Sequence, residues 1–573
     1  MASTLGGPAE EFGGLGYAAP TAEERDGPRK RLEDPASWLD GWRFTERARR
    51  LFAATAAFFT VLAVSLYRAE VARGAKYPGH ADPAFFYNVA QNLHAGRGAQ
   101  IDYVWHFLVP GTPLRHYAFD YWLPLPSVLM SFGLGVGHDL PAAVDVSVVM
   151  AAVMSASTYA LTRAFTTSFW APAVAAVAIV AQPVVSMFAV QTESAVYLGA
   201  FGLTAMAAAV HARRRLPLWV VAGAAAALAN MSRSEGLILM AVLGVAALAW
   251  AERSRWQVRL GLLLLGYLPV AAPYFYENLS HFGAVLPPAA TSFPFITQNE
   301  DLFSPHINRS LSGLFGTGIV QFVNLRFVAL VHEVRVALSA FTRTDAVVLV
   351  ILAALLISRR SPRSAPMGQR VLGALRSSWF VPVGFVVALF LFDALVAPVV
   401  AGAGATVKGM VTVAAVPIVA VLVALAGSGF RQSITVVSCA LLVLSPIAAL
   451  PRISKAVVRH NNGFGQAASN LGPALKREQK CLDRPVVMMT RNPWEFTQAT
   501  GVPSVQIPAG SVADVVAVAR EYGVTDIEDP QIRPQLSDLS AMLAATGPLT
   551  LAEHFGSRRI YRIRATTAGH AHC

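Results

Sequence analysis

Charged residues and cysteines are both scarce in this sequence. Of its 573 residues, 14% are Asp, Glu, Lys or Arg, whereas 54% are hydrophobic, and the mean hydropathy is +0.48. The three cysteines, Cys439, Cys481 and Cys573, have neither the spacing of metal ligands nor that of a disulfide framework. The composition excludes a small disulfide-stapled protein and favours a chain that is embedded in lipid.

Apolar residues gather in blocks of about 15 to 22, the length that crosses a bilayer as a helix. The formal net charge of +12 would suggest nucleic acid in a soluble protein, but most arginines cluster in short segments between the apolar blocks. Arginine in such segments marks the cytoplasmic side of a membrane protein. We therefore predict a multi-pass plasma (inner) membrane protein that contacts the lipid bilayer and binds no nucleic acid.

The alternation of arginine-rich and arginine-poor segments predicts an all-α polytopic membrane domain of about eleven transmembrane helices over residues 43–450. Residues 1–42 are expected to form a disordered cytoplasmic tail. Large outer loops are predicted at 69–140 and 277–344. Eleven spans put the N-terminus inside and the C-terminus outside. The spans are predicted at about 51–68, 140–161, 171–190, 194–210, twice within 216–250, at about 260–276, and four times more, the last ending near Leu450.

Residues 451–573 have a different pattern, which predicts a small extracytoplasmic α/β domain. It contains no Gly-rich phosphate fingerprint and no evident nucleophile, so we expect an accessory or acceptor-handling role, with a scaffold as the alternative. Ser511 is a reasonable N-cap for its second helix. Strands are predicted from Pro485, Pro503, Val524 and Arg559, and helices at about 493–500, 511–522 and 535–546.

Eight ionisable residues that the topology does not explain all fall on the outer side. They are Asp82, Asp120, Glu193, Arg233, Glu235, Glu277, Asp393 and Lys408. Any one of them could be a solvated or structural residue, because charges cost little in loops. Their concentration on one side nevertheless predicts a functional site there. Glu333, in an amphipathic stretch, is expected on a solvated face instead.

Asp82 follows the first apolar block and precedes Pro83, an arrangement typical of a helix start. Phe86, Ala90 and Leu93 would form one apolar face, so this helix is predicted to lie flat on the membrane surface. In one interpretation Asp82 is only a helix cap. In the other it is a catalytic base at the boundary between membrane and water.

Two cations are candidates for binding a phosphate. Lys408 lies in the Gly-rich run 402–409, where the backbone can approach an anion closely and the lysine supplies a point charge. It could equally be a snorkelling lysine at the start of a span. Arg233 could also contact phosphate, or Arg233 and Glu235 could compensate each other at the tip of a helical hairpin.

The first outer loop is rich in aromatic residues. Asp120 and Trp122 could line an acceptor path, although an interfacial aromatic anchor explains the rings equally well. Four histidines in this loop match no compact metal-ligand motif: His80, His94, His106 and His116. We therefore predict no cofactor and no metal, with a divalent metal as the less favoured alternative.

Several short motifs follow one another along residues 45–450, near the outer ends of spans. They are Asp82-Pro-Ala-Phe-Phe-Tyr87, Ala90-Gln-Asn-Leu-His-Ala-Gly-Arg-Gly98, Trp122-Leu-Pro-Leu-Pro126, Thr192-Glu193, Ser232-Arg-Ser-Glu-Gly236, and Glu277-Asn278 with Phe282-Gly283. In order and sidedness these motifs resemble the GT-C membrane glycosyltransferases, particularly the bacterial relatives of protein O-mannosyltransferases and the lipid A aminoarabinose transferase.

The resemblance implies sugar transfer outside the membrane, from a polyprenyl-phosphate donor to a glycan, lipid or protein acceptor. It implies that Asp82 is the general base and Glu193 the second outer-loop acid, with Tyr87 and Glu235 lining the site. The chain carries Glu rather than Asp at position 193, and Glu277 where relatives often have Arg before Asn. These departures leave the identity of the donor sugar open.

The chemistry of such a donor fits the same residues. A sugar linked through phosphate already has a good leaving group, so one carboxylate can remove the acceptor's proton while cations stabilise the departing phosphate. We predict an inverting hexosyl- or pentosyltransferase, with Asp82 and Glu193 catalytic and Lys408 and Arg233 at the donor phosphate. The alternative is a carrier or flippase of lipid-linked glycans. A transporter should show midplane charges and repeated halves, and the sequence shows neither.

Overall fold

The computed structural model describes most of the chain from Thr45 onward. The described residues are 45–250, 255–296, 299–307, 309–310, 312, 315–316, 318–358, 367–396, 403–427, 432–482, 485–529, 549–555 and 558–563. The tail predicted over residues 1–42 and the helix predicted over about 535–546 lie outside these residues.

The apolar runs of the first half form helices, because a helix satisfies its own backbone hydrogen bonds where water is absent. These are α1 (Glu46–Ala72), α2 (Asp82–His94), α3 (Leu125–Gly137), α4 (Leu140–Phe165), α5 (Ala171–Ala181), α6 (Pro183–Phe188), α7 (Ala195–Ala212), α8 (Leu218–Ser232), α9 (Glu235–Ala249) and α10 (Trp256–Phe282). Between α2 and α3 lie three short strands, β1 (Gln100–Ile101), β2 (Tyr103–Val104) and β3 (His116–Tyr117).

The second half begins with two 3-10 helices, Pro288–Phe295 and Asn299–Phe303, and then returns to α-helices. These are α11 (Ile319–Ser339), α12 (Arg343–Ser358), α13 (Met367–Arg376), α14 (Phe380–Leu395), α15 (Ala403–Val413), α16 (Ala415–Gly427), α17 (Gln432–Ser469) and α18 (Gly472–Leu482).

Within the described residues, six helical segments are long and apolar enough to cross a membrane. A seventh crossing is added if α11 and α12, which meet at a bend of 110°, count as one span. Five shorter apolar helices accompany them, namely α3, α5, α8, α9 and α14. The protein is therefore a mostly helical, multi-pass membrane protein.

The span predicted at 171–190 is interrupted. Pro183 has no backbone N–H to continue the helix, so α5 ends and the short α6 begins at this point. The fully buried Arg68 of α1 reaches the interruption, where it donates to the carbonyl of Val180 and, at 2.9 Å, to Ser186 Oγ. A cation at the C-terminal end of α5 also complements the helix dipole there.

The last span is longer than predicted. Instead of ending near Leu450, helix α17 continues to Ser469, with Pro446 and Pro451 inside it. Proline is tolerated inside membrane helices when neighbouring groups satisfy the freed backbone. The added turns bring Asn461 to the loop that precedes α2, where it donates to a backbone carbonyl.

A mixed sheet follows, in the strand order β2-β5-β4-β6-β8-β7. Its C-terminal members are β4 (Met488–Thr490), α19 (Pro493–Thr500), β5 (Ser504–Gln506), α20 (Val512–Glu521), β6 (Asp526–Asp529), β7 (Leu549–Phe555) and β8 (Arg558–Ile563), with the two helices as connections. Apart from β7, these elements lie where the sequence predicts them. Ser511 caps α20 as predicted: its Oγ accepts from the Asp514 N–H at 3.3 Å, and the Asp514 carboxylate accepts from the Ser511 N–H at 2.7 Å.

The edge strand β2 comes from the first outer loop rather than from the C-terminal part. It pairs in parallel with β5, with Tyr103 opposite Ser504 and Val104 opposite Val505. This pairing brings α19 beside α2. The C-terminal sheet is therefore tied directly to the segment that carries Asp82.

Candidate functional site

Three charged side chains from distant parts of the chain meet at the start of α2. The Nζ atom of Lys408 lies 2.5 Å from Asp82 Oδ2 and 3.0 Å from Glu193 Oε2. Asp82 is the first residue of α2, Glu193 lies just before α7, and Lys408 is on α15. An ammonium group at these distances donates charge-assisted hydrogen bonds to carboxylates. Lys408 therefore bridges the two acids.

The contacts continue from Glu193 to the turn between α8 and α9. Ser194 donates to Glu193 Oε1 through its backbone N–H at 2.7 Å and through its hydroxyl at 2.8 Å. Arg233 Nη1 donates to Ser194 Oγ at 3.2 Å, and its Nη2 donates to Glu235 Oε1 at 2.6 Å. We call the set Asp82, Lys408, Glu193, Ser194, Arg233 and Glu235 the ionic network.

A close backbone approach holds the turn that carries Arg233 and Glu235. A Cβ atom at Gly236 would lie 2.1 Å from the backbone nitrogen of Asn230, a distance that no side chain tolerates. Glycine is therefore required where the start of α9 packs against the end of α8. Asn230 is itself fixed by a 2.8 Å hydrogen bond from its Nδ2 to the Tyr267 hydroxyl.

The ionic network is buried but not sealed. The exposed fraction of its charged side chains ranges from 2% for Glu193 to 16% for Asp82. Burial raises the pKa of Glu193 and Asp82 adds to this effect, whereas Lys408 and Arg233 oppose it. The three carboxylates of the ionic network (Asp82, Glu193 and Glu235) share two permanent cations, Lys408 and Arg233. The network can therefore exchange a proton or accept a further cationic or polar group.

The Gly-rich run around Lys408 was predicted to let the backbone approach an anion closely. From Ala403 onward this run forms α15, so the backbone around Lys408 is helical. The snorkelling interpretation also differs from the structure, because the side chain is 12% exposed and points to two carboxylates. Of the prediction for Lys408, only the positive point charge remains.

Two expectations about α2 are also corrected. The helix does not present its apolar face for a membrane surface, because Phe86 and Ala90 are buried against the rest of the protein and Leu93 is partly buried. The N-cap position is Ala81, and the carboxylate of Asp82 contacts Lys408. Asp82 therefore has an ionic partner that simple helix capping would not provide.

Asp120 lies outside the ionic network. Its Oδ2 atom is 3.2 Å from His106 Nε2 and 3.7 Å from His116 Nε2, and its side chain is 3% exposed. Burial lowers the pKa of His116, and the charge of Asp120 opposes this shift. We call these three residues the His–Asp–His cluster.

Tyr87 and Trp122, both predicted to line the site, are buried. Trp122 stacks on Trp105 with ring centroids 4.1 Å apart and also lies 4.3 Å from the ring of Phe85. Tyr87 is buried, and burial followed by the charge of Asp139 raises its pKa to about 12. Trp122 is therefore part of an aromatic cluster with Trp105 and Phe85.

The four histidines of the first outer loop do not converge. His94 lies against His138, and His80 contacts Glu495, whereas His106 and His116 share Asp120. In the part of the chain that the structure describes, no three His, Cys, Asp or Glu side chains are arranged to hold a metal ion.

Comparison with solved structures identifies the fold. ArnT from Cupriavidus metallidurans, in a crystal structure bound to undecaprenyl phosphate, matches 90% of this chain and 99% of its own with a TM-score of 0.55 and 14% identity. Its apo structure matches 89% of this chain and 98% of its own, with a TM-score of 0.52 and 14% identity. No protein-family profile matches the sequence, and no curated protein matches it.

The chain has the fold of ArnT. The resemblance that the sequence motifs indicated is confirmed at the level of the fold.

Within this ArnT-like fold, Ser194 and Tyr121 are residues that the sequence analysis missed. Ser194 joins Glu193 to Arg233. The Tyr121 phenol is buried, which raises its pKa, and it interacts electrostatically with Asp82. Tyr121 stands between the predicted Asp120 and Trp122, so its presence in an aromatic loop next to an acidic motif was the only available signal.

Three other acidic residues, Asp393, Glu333 and Glu277, are not members of the ionic network. Asp393 interacts electrostatically with Glu235 and Glu333 at the edge of the ionic network. Glu333 is 5% exposed, so the prediction of a solvated face for it was wrong. Glu277 pairs with His281 at 3.4 Å on the last turns of α10, outside the ionic network.

Proposed function

We propose that this protein is an inverting glycosyltransferase that moves a sugar, a hexose or a pentose, from a polyprenyl-phosphate-linked donor to an acceptor on the extracytoplasmic side of the membrane. The observation that carries the proposal is the bridge from Lys408 to Asp82 and Glu193. It pairs a partly accessible carboxylate with a permanent cation, in a fold shared with a protein crystallised with undecaprenyl phosphate.

The reaction requires a base and a cation at one point. In our proposal the acceptor hydroxyl oxygen attacks the anomeric carbon from the face opposite the phosphate, its proton passes to Asp82, and the bond between carbon and phosphate oxygen breaks. The polyprenyl phosphate leaves with the electron pair. Lys408 and Arg233 stabilise the phosphate charge as it develops, as preorganised donors do in a water-poor site.

Glu193 has a supporting part in this proposal. Its carboxylate holds Lys408 at 3.0 Å, so the ammonium stays charged and directed toward Asp82 when the donor is absent. When the donor phosphate arrives, it would compete for Lys408 and release Asp82 to accept a proton. Because the pKa of Glu193 is raised by burial, this acid would hold a proton more readily than a solvated Glu.

The proposed topology has eleven crossings, with the N-terminus cytoplasmic. This count adds α5, α8, α9 and α14 to the seven crossings that the longer helices supply, since each is apolar although short. We propose that residues 43–450 form the transferase domain and that residues 451–573 form an α/β domain outside the membrane. The proposal includes no metal ion; transfer abolished by a chelator and restored by a divalent cation would contradict that part.

The test compares wild type with Asp82→Asn in nanodiscs, using radiolabelled polyprenyl-phosphate sugars and measuring donor binding and sugar transfer separately. The matched control is Asp102→Asn, which changes a half-exposed aspartate of the same loop that pairs with Arg115 at 3.5 Å. We expect turnover to fall by about 100- to 10,000-fold in the Asp82 variant. Donor binding should persist, and the Asp102 variant should behave as wild type.

Two results would reject the proposal. If Asp82→Asn transfers sugar as fast as wild type, Asp82 is not the base. If wild type binds the labelled lipid, leaves the sugar–phosphate bond intact and moves the lipid between leaflets, the protein is a carrier or flippase that uses the same charges for headgroups.

A further inference from the structure

The loop that leads into Asp82 is held by the C-terminal third of the chain. Glu495, on α19, is buried, with a side chain 6% exposed. Its Oε2 atom lies 2.8 Å from His80 Nδ1, accepts from the Trp494 indole N–H at 2.8 Å, and accepts from the Ala81 backbone N–H at 3.4 Å. One carboxylate oxygen thus gathers three donors directly before Asp82.

The backbone at this point has a conformation that needs such support. Ala81 has φ 57° and ψ −115°, the values of the first central residue of a type II′ turn, which is normally glycine. An alanine in this region is held there by its surroundings, and such residues cluster at functional sites. The N–H of this strained residue is the one that donates to Glu495.

A second contact acts on the other side of the loop. Asn461 of α17 donates from Nδ2 to the Pro78 carbonyl at 3.2 Å and to Gln191 Oε1 at 3.3 Å. Gly79, with φ 124°, leaves room for this side chain, since a Cβ there would lie 2.9 Å from it. Asn461 therefore joins the segment before Asp82 to the segment before Glu193.

Aromatic rings next to Glu495 also pack around the contact between Glu495 and the loop before Asp82. Trp494 lies against His80 with ring centroids 5.7 Å apart and against Trp105 at 5.6 Å. The Trp494 indole is 4% exposed, so its N–H can bond only within the protein, and Glu495 is its acceptor. Loss of the carboxylate would leave that N–H and the Ala81 N–H without their acceptor.

We infer that Glu495 is a positioning residue that fixes the backbone of Ala81 and so sets the place of the Asp82 carboxylate beside Lys408. This assigns the C-terminal sheet and α19 a role in the geometry of the membrane site. The inference concerns the same site as the proposed function and rests on that function for its effect on turnover, but its structural part can be tested without turnover.

The experiment replaces Glu495 by Leu, which keeps the bulk and removes both acceptor oxygens. Glu495→Gln is the conservative variant, because its amide oxygen can still accept from the Ala81 and Trp494 N–H groups. The matched control is Glu528→Leu, a buried glutamate on β6 that accepts from Thr490 Oγ1 at 2.5 Å, away from the loop. Thermal unfolding of all three variants reports any general loosening of the sheet.

Two readouts are measured on the full chain in nanodiscs. Hydrogen exchange by mass spectrometry follows the peptide 77–86, and transfer assays separate kcat from the donor KM. For Glu495→Leu we expect amide exchange in 77–86 to accelerate by about tenfold or more. We expect kcat to fall by about 10- to 100-fold with the donor KM changed less than about threefold. Glu495→Gln should keep amide exchange in 77–86 and kcat close to their wild-type values, and Glu528→Leu should show neither effect.

The outcomes separate the two ideas. Unchanged exchange in Glu495→Leu, or equal acceleration in Glu495→Leu and Glu528→Leu, overturns the positioning role. A fall in kcat that Glu495→Gln does not recover also overturns it, because the shared acceptor oxygen would then be irrelevant. If the exchange contrast holds but wild type transfers no sugar from any donor, the proposed function fails while the fixing of the loop by Glu495 stands.

Discussion

Asp82 and Asp120 both lie in the first outer loop, yet their surroundings give them different chemistry. Asp82 is 16% exposed and pairs with Lys408, a cation at any physiological pH. Asp120 is 3% exposed and faces two histidines, whose charge depends on pH. The first carboxylate can be reached by a ligand while its partner stays charged, whereas the second is enclosed.

This contrast indicates which acid can do chemistry on a lipid-linked sugar. A phosphate needs permanent positive charge, and the ionic network supplies it from Lys408 and Arg233. The His–Asp–His cluster supplies positive charge only when a histidine is protonated, and burial lowers the pKa of His116. We therefore regard the His–Asp–His cluster as a support of the aromatic wall around Trp105 rather than as part of the reaction.

Among the variants that test this contrast, the largest expected effect on stability and transfer together comes from removing the permanent cation. Lys408→Met would leave Asp82 and Glu193 facing each other without compensation, so one or both would take up a proton. We expect the free energy of unfolding to fall by about 3–5 kcal/mol. We expect transfer to fall by about 100- to 1,000-fold, since both the phosphate contact and the ionised base are lost. Thermal unfolding and labelled-donor transfer in nanodiscs measure the two effects.

Two further variants decide whether charge is the cause. Lys408→Arg keeps the positive charge and should retain most of the stability, while losing part of the activity through altered geometry. Asp120→Asn makes the corresponding change in the His–Asp–His cluster and should change turnover by less than about tenfold. A wild-type rate in Lys408→Met, or loss of transfer in Asp120→Asn comparable with that in Lys408→Met, would reverse our ranking of the two regions.

Much of the ionic network was predictable because its members lie near the ends of predicted spans, on one predicted side of the membrane. Asp82, Glu193, Arg233, Glu235 and Lys408 could be grouped by topology alone. Their pairing could not, because the contact between Lys408 and Asp82 joins residues 326 positions apart. No local pattern encodes which of several cations meets which carboxylate.

The errors have physical causes as well. Glycines around Lys408 suggested a close backbone approach to an anion, but the run forms a helix from Ala403, which satisfies backbone groups that would otherwise be unpaired at membrane depth. The last span was predicted to end near Leu450, yet α17 continues through Pro451 to Ser469. Glu495 was invisible because its carboxylate acts on a backbone N–H about 414 residues away, and β2 has only two residues, too few for a recognisable strand pattern.

The next effect tests whether the geometry of the ionic network depends on a single glycine. In Gly236→Ala the new methyl group would collide with the backbone of Asn230, so the turn carrying Arg233 and Glu235 must shift. We expect the free energy of unfolding to fall by about 1–3 kcal/mol. Transfer should fall as well, because Arg233 would lose its place beside Ser194.

Gly244→Ala is the matched control for this prediction. Gly244 lies on the same helix, and an added Cβ there meets nothing within 4 Å. Alanine is favoured over glycine inside a helix by up to about 1 kcal/mol, so this variant should be as stable as wild type or more stable. Equal melting temperatures for the two variants would show that the close approach at Gly236 does not constrain the turn.

The smallest effect belongs to the His–Asp–His cluster and depends on pH. The pKa of His116 in the folded protein lies below its unfolded value of about 6.5. As the pH falls below about 6.5, His116 therefore binds a proton more readily in the unfolded chain than in the folded one. Stability should therefore decrease toward acid pH, and His116→Gln should remove part of that decrease. Melting temperatures at pH 7.5, 6 and 5 measure this, with both proteins in the same nanodiscs. If His116→Gln loses stability with falling pH as steeply as wild type, titration of His116 does not cause the acid sensitivity. The His–Asp–His cluster would then not differ in pH dependence from the ionic network, whose lysine and arginine keep their charge over the same range.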